Sequence, residues 1–202
     1  MSNEIAQLEP PAIPLAQNAY HRSTVDQTNN VLRLFFNKLV QLIRSITDRD
    51  AGGRALYMPY GDFYDTTTQT AALADTAYAL TFGTSVGGSG VSVVSSSRIT
   101  VEYDGLYYMS IYGHINTTGA AGEITLWAKK NGTNLADSAR KVDATADLPI
   151  EFSGVISLVS GDYIEFFWET TNTNARFETV AAGTNYPATP SVSCSVVYAG
   201  NN

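Results

Sequence analysis

The feature that most narrows what this chain can fold into is a period-two alternation with non-polar residues on both phases. In residues 99–115, ITVEYDGLYYMSIYGHI, successive side chains of an extended backbone point to opposite sides. Tyr107, Met109, Ile111 and Ile115 therefore share one face, and Tyr108, Ser110, Tyr112 and His114 share the other. The first set reads as ordinary core. The second is too aromatic for a face left in water and too polar for a plain core, which predicts a cover other than the chain's own interior.

The same alternation recurs in TAYALTF (76–82), EITLWAKK (123–130), LPIEFSGVISLV (148–159), DYIEFFWET (162–170) and PSVSCSVVYA (190–199). Turn signals separate these runs: GGSG at 87–90, DG at 104–105, NG at 131–132 and SGD at 160–162. Only 15% of the residues are charged, and Gly, Ser, Thr, Asn and Tyr take their place. Many short strands joined by turns predict an all-β sandwich or barrel, and 202 residues with 44% hydrophobic content suffice for one main core. Two further strands are also two-faced. In 162–170, Ile164, Phe166 and Trp168 oppose Tyr163, Glu165 and Phe167; in 123–130, Ile124, Leu126 and Ala128 oppose a face carrying Trp127. A lone sandwich buries only the inner face of each sheet, so a second semi-apolar face predicts self-association. Tyr108, Tyr112, His114, Trp127, Tyr163 and Phe167 are the candidate interface residues.

Ahead of the strands the pattern differs. Residues 1–22 contain EPPAIPLAQN, whose prolines favour extended backbone and leave few ladder donors, so this segment reads as an arm. Ile5, Leu8, Ile13 and Leu15 are its candidate anchors. From Ser23, STVD offers an N-cap with Asp26 three residues on, and Leu32, Phe35, Leu39, Leu42 and Ile46 follow at spacings of three and four. That seam predicts an amphipathic or coiled-coil helix over 23–50, ended by DAGG at 50–53. Residues 51–69 read as a connector and 70–202 as the β head.

Charge and chemistry exclude several functions. Up to residue 50 five acids balance five bases, so the formal charge of −7 belongs entirely to the rest of the chain. An acidic head without a basic stripe argues against a nucleic-acid partner. The single cysteine, Cys194, alternates with serines and reads as a buried structural thiol. No run approaches a membrane span, and MSNEIAQLEPPAIP has acids where a secretory signal has bases, so synthesis in the cytosol without membrane insertion is expected. No catalytic, metal-binding or cofactor-binding set is expected. His21 and His114 lack metal-ligand spacing, GGSG lacks the lysine of a phosphate loop, and Glu151, Glu165 and Glu169 read as surface acids rather than a glycosidase pair.

At this point the residues carry a resemblance. SSSRITVEYDGLYYMSIYGHI, followed by ITLWAKKNGTNLADS and FSGVISLVSGDYIEFFW, resembles the C1q/TNF-like jelly rolls in the divergent form found in bacteriophage and marine viral structural proteins. The family's Gly-x-Tyr strand matches Gly105 and Tyr107, with Met109 where an aromatic is usual. Its Gly-Asp turn matches Leu158, Gly161, Asp162 and Ile164, and its Asn-Gly turn matches Lys130, Asn131 and Gly132. The match spans roughly residues 70–199. The resemblance implies a ten-stranded jelly roll assembled as a homotrimer, with the helix as a short trimeric coiled coil. It implies a non-enzymatic virion protein on the particle surface: a capsid decoration, head fibre or short tail appendage fastened to a capsid or tail protein by the arm. Two alternatives stand beside it, a receptor-binding tail-fibre tip for a host glycan or protein and a free soluble C1q/TNF-like binding module. The loop 170–186, with Asn172, Asn174, Arg176, Phe177, Asn185 and Tyr186, is the candidate ligand loop.

Overall fold

The structure, a computed structural model, describes residues 22–47, 58–145 and 147–201. The chain divides into two compact units, Met1–Met58 and Pro59–Asn202.

The first unit contains helix α1 (Arg22–Thr47). It begins one residue before Ser23, so Ser23 lies inside the first turn instead of capping it. Leu32, Phe35, Leu39 and Leu42 share a half-buried stripe, which continues at the same spacing back to Thr28, while Val25 beyond it is exposed at 38%. None of the helical side chains described is fully buried, and Phe36 and Ile43 flank the stripe exposed at 55% and 49%. The side chain of Ile46, the arm residues Ile5, Leu8, Ile13 and Leu15, and the DAGG stop lie outside the described residues.

The second unit is an all-β sandwich. Its strands are β1 (Tyr60–Asp65), β2 (Gln69–Thr70), β3 (Tyr78–Ala79), β4 (Thr84–Ser89), β5 (Val91–Val94), β6 (Arg98–Val101) and β7 (Gly105–Thr117). They continue as β8 (Gly122–Lys130), β9 (Thr133–Asn134), β10 (Arg140–Ala144), β11 (Leu148–Leu158), β12 (Tyr163–Thr170), β13 (Ala175–Phe177) and β14 (Val192–Gly200). One sheet runs β4-β1-β14-β7-β11, with β13 and β2 carrying on beside the far end of β7. The other runs β5-β6-β12-β8-β10, with β3 beside β12 and β9 beside β8. All pairings are antiparallel, and the chain crosses between the sheets at most of its long connections, as in a jelly roll.

The core lies between the sheets. Tyr107, Ile111 and Ile115 of β7 are completely buried, as are Leu126 of β8 and Phe166 of β12. Trp168 meets Phe177 edge to face with ring centroids 5.1 Å apart. Gly105 has no substitute, because a Cβ there would stand 2.2 Å from the Tyr198 ring that covers it.

Four local expectations change. The segment 51–69 is not all connector: β1 is a strand of the head between β14 and β4. Its inward positions are Gly61, Phe63 and Asp65, of which only Phe63 is a large apolar residue, so alternation is hidden in YGDFYD. Residues 99–115 form two strands, because the chain turns at 102–104 and sends β6 and β7 into different sheets. The GGSG stretch, expected as a turn between strands, is mostly strand. Its first three residues are paired in β4, where small residues suit the close backbone of β5, and only Gly90, with φ of 68°, turns the chain. In 76–82 only Tyr78 and Ala79 pair as a strand, although Leu80 and Phe82 are buried as alternation requires.

Two of the turn motifs meet in one hydrogen-bonded unit. Asn131 and Gly132 both adopt left-handed backbone, as a tight hairpin between β8 and β9 demands. The Asn131 amide donates to Asp162 Oδ1 at 2.7 Å, and its Oδ1 accepts from the Tyr163 amide at 3.0 Å. Asp162 Oδ2 accepts from the Val159 amide at 2.9 Å and pairs with Lys130 Nζ at 2.8 Å. Burial by itself would raise the Asp162 carboxyl. The Lys130 hydrogen bond, the Val159 and Asn131 amides and the Lys130 charge outweigh it and lower the group to about 2. A carboxyl depressed in the folded state stabilises the fold above its ordinary value, and that contribution fades as pH falls through the folded value. Asp162→Ala is therefore expected to cost about 1–3 kcal/mol in urea unfolding at pH 7. The difference from the unaltered protein should shrink as pH falls from 3.8 toward about 2; a penalty independent of pH would contradict the role given to the carboxylate.

Candidate interaction surfaces

The outer face of the β7 sheet is built in rows set by strand register. Val155 of β11, Tyr108 of β7, Val197 of β14 and Tyr60 of β1 are direct cross-strand neighbours, exposed at 61%, 43%, 44% and 48%. The next row is Ser153, Ser110, Ser195 and Asp62, in which Ser195 Oγ donates to Asp62 Oδ1 at 2.9 Å. Beyond it stand Glu151, Tyr112, Ser193 and Tyr64. Tyrosine, valine and serine dominate these rows, and Asp62 and Glu151 are their only charges. The first row, two tyrosines and two valines without a charge, has the composition of an interface centre, and the serines and acids of the other rows that of a polar rim.

This face continues around β11 into a groove. Strand β11 pairs with β7 along one side, and among the described residues no strand covers its other side. Phe152 and Ile156 point inward yet remain only half-buried, because the two sheets part along this edge. Met109, Phe152, Ile156, Leu135, Ile164 and Phe166 line a cavity of about 320 Å³ there. Ser153 and Val155 border both the groove and the outer face. A long strand edge beside half-buried core is an association site unless something protects it; here Lys130 Nζ covers the Ser157 carbonyl at 2.9 Å, and the Arg140 guanidinium lies 5.4 Å from the centroid of the Phe152 ring at the groove.

The other outer face is different. The Lys129 ammonium lies 3.7 Å from the centroid of the Phe167 ring, and the Arg98 guanidinium 4.7 Å from that of Tyr163. Glu165 accepts from Ser97 Oγ at 2.8 Å and faces Arg98 at 3.5 Å, and Lys141 meets Glu123 at 2.6 Å. The six candidate interface residues thus form two groups, with Tyr108, Tyr112 and His114 on one outer face and Trp127, Tyr163 and Phe167 on the opposite one. His114 is tied within the chain, its Nδ1 lying 2.9 Å from the Glu178 carbonyl and its Nε2 3.8 Å from Asp147.

The candidate ligand loop is also divided. Phe177 is corrected to a core residue, fully buried against Trp168. Arg176 pairs with Glu178, whose carboxylate also accepts from Asn116. Asn172 caps the turn after β12 by accepting from the Asn174 amide at 3.0 Å, and the Asn174 carbonyl accepts from Thr118 at 3.2 Å. Asn185 and Tyr186 stay exposed at the tip.

The carboxylates do not converge. Glu151 and Glu165 occupy opposite outer faces. Glu165 and Glu169 share a face four residues apart, a span of ~13 Å that exceeds the separations used by glycosidases. Among the described residues no group of three or more His, Cys, Asp and Glu could hold a metal ion. The Cys194 thiol is buried, and desolvation together with the Asp62 charge pushes it well above its ordinary value. Sequence reasoning missed Tyr60, Val197 and Val155. Tyr60 lay in the segment taken as connector, and Val155 and Val197 share their outward phases with serines.

No protein-family model and no curated protein matches the chain. Solved structures similar to it include murine APRIL at pH 8.5, with a TM-score of 0.47 and 11% identity over 70% of this chain and 98% of that one. Murine APRIL at pH 8.0 and at pH 5.0 gives TM-scores of 0.46 and 0.45 at the same identity and coverage. At these scores the similarity adds nothing to the fold, which stands on the strand pairing.

Because Phe177 fills the core, Phe177→Ala is expected to destabilise the head by ~3–5 kcal/mol in denaturant unfolding. A loss below ~1 kcal/mol would return it to the surface loop.

Proposed function

We propose that the chain is a non-enzymatic virion protein whose head assembles as a homotrimer, with the groove at the β11 edge of one copy receiving the Tyr60–Val197–Tyr108 face of the next. The observation that carries this reading is the pairing of two different unfilled surfaces side by side on one molecule. A face that fits itself makes a two-fold dimer, whereas two unlike surfaces join head to tail and make a ring where the rotation between copies closes, as a homotrimer requires. The seam of α1 supports the same reading. Three helices tethered to three associated heads meet at high effective concentration, and their stripes of Leu32, Phe35 and Leu39 then pack together.

Placement on a phage particle, as a capsid decoration, head fibre or short tail appendage, is supported by the motifs around Gly105, Asn131 and Asp162. In this reading Ile5, Leu8, Ile13 and Leu15 of the arm bind an underlying capsid or tail protein, and three arms acting together offset the cost of ordering each one. Host attachment is a second reading, favoured by the loop that carries Tyr186. Val180 and Thr189 exchange two 2.9 Å backbone hydrogen bonds at its base, and Gly183 donates to the Tyr186 carbonyl at 3.0 Å, so an exposed tyrosine is held in a closed loop.

Tyr108→Glu and Val155→Glu each place a charge in the proposed contact while leaving the core untouched. Both are expected to yield monomeric heads in light scattering, with unfolding of the monomer within ~0.5 kcal/mol of its intrinsic stability. Assembly unaffected by both substitutions would overturn the packing. Removal of residues 1–20 is expected to leave the oligomer intact and abolish incorporation into particles; a truncated protein that still enters particles would refute the anchoring role.

A further inference from the structure

We propose that the outer face of β8 and β12 carries a saccharide-binding platform centred on Trp127, taking neutral β-linked hexopyranosides. The indole is held in place from two directions. Its Nε1 donates to Asn134 Oδ1 at 3.0 Å, and its ring lies against Phe167 with centroids 6.1 Å apart and planes 32° from parallel. Phe167 is capped by Lys129 and Tyr163 by Arg98, whereas no cation among the described residues caps Trp127, which is half-buried on a strand surface. A rigid ring of this size, open to water on one side, is poised to bury an apolar partner at little entropic cost.

The groups around it choose the partner. Lys129 stands two residues along β8 on the same face, and Glu169 lies across the sheet opposite Thr125. The Asn134 amide spends its oxygen on the indole, leaving its NH2 to donate. Lys129 offers three N–H donors and Glu169 two acceptor oxygens. A protein partner would meet a contact centre rich in Lys and Glu, the residues interfaces avoid. A nucleic acid would meet Glu123 and Glu169 beside Lys129, Lys141 and Arg98, bases that are partly spent on neighbouring acids and rings and form no continuous stripe. A pyranose fits both features. Its axial hydrogens form an apolar face that stacks on an indole, and its equatorial hydroxyls donate to carboxylates and accept from ammonium and amide groups. β-Linkage with equatorial substituents keeps successive faces flat. This site is independent of the self-association proposed above, since the Trp127 face lies on the opposite side of the sandwich from the Tyr108 row.

The chain has two tryptophans, and the other, Trp168, is 1% exposed in the core, so the emission of Trp127 reports the platform while Trp168 reports the fold. The full-length protein is titrated with lactose, cellotetraose and triacetylchitotriose, each to ~10 mM, enough to fill most of a site of millimolar affinity. At least one sugar is expected to change the emission saturably. Trp127→Ala should abolish that response, measured calorimetrically, with Trp168 emission retained. Lys129→Met and Glu169→Gln should each weaken affinity at least ~3-fold with native tryptophan emission, and they decide the matter if Trp127→Ala does not fold. No response to any of the three sugars, or affinity unchanged in both Lys129→Met and Glu169→Gln, or binding that survives in a folded Trp127→Ala, would overturn the proposal.

Discussion

Strand β7 is the element on which the rest of the head depends. It pairs with β11 along one side from Gly105 to Ile115, and with β14 and then β13 along the other. Its inward residues Tyr107, Ile111 and Ile115 are wholly buried against the second sheet. Its outward residues Tyr108, Ser110 and Tyr112 each head a row that crosses to β1. One strand therefore fixes the layer spacing, the register of three neighbours and the pattern of the outer face. A one-residue slip would exchange the two sets and place tyrosine hydroxyls and a histidine in the core.

Strands with a complete inward apolar set were legible in the sequence, because a period of two survives any neighbour: β8, β11, β12 and β14 lie within a residue or two of where alternation puts them. Strand β1 was not, since Gly61 and Asp65 occupy inward positions for reasons that only the folded chain supplies. The Asp65 carboxylate is satisfied there by Thr67 and Thr81, at 2.6 and 3.0 Å, which no local pattern announces. Strand β4 was hidden by its glycines, whose lack of a side chain serves the approach of β5 instead of a turn. The two-faced character of β7, β8 and β12 was visible, but not that their outer sides look in opposite directions, because sheet membership is set by crossings that alternation does not encode. The groove was invisible for a similar reason. Alternation in 148–159 gives Phe152 and Ile156 the same phase as the buried Ile150 and Leu158, and only their place on an edge strand leaves them partly open.

The two outer faces solve the problem of exposed aromatic residues differently. On the β12 side the chain covers two of its own rings with Lys129 and Arg98 and ties its acids to nearby bases, which is a surface adapted to water. On the β7 side no cation among the described residues covers Tyr60 or Tyr108, Val155 and Val197 stand exposed beside them, and the adjoining β11 edge leaves backbone unpaired and a groove shielded at Phe152 by Arg140. An apolar row and an open strand edge on the same side are costly to keep in water. Association relieves both at once.

The most direct measurement is the solution mass, by sedimentation equilibrium, of the full-length protein beside a chain beginning at Gly53. The account predicts three times the chain mass for both, with assembly driven by the β faces and the helix adding to it. A monomeric full-length protein, or a head that loses all association once the helix is removed, would contradict the central claim that the β7 face and the β11 edge are made to meet.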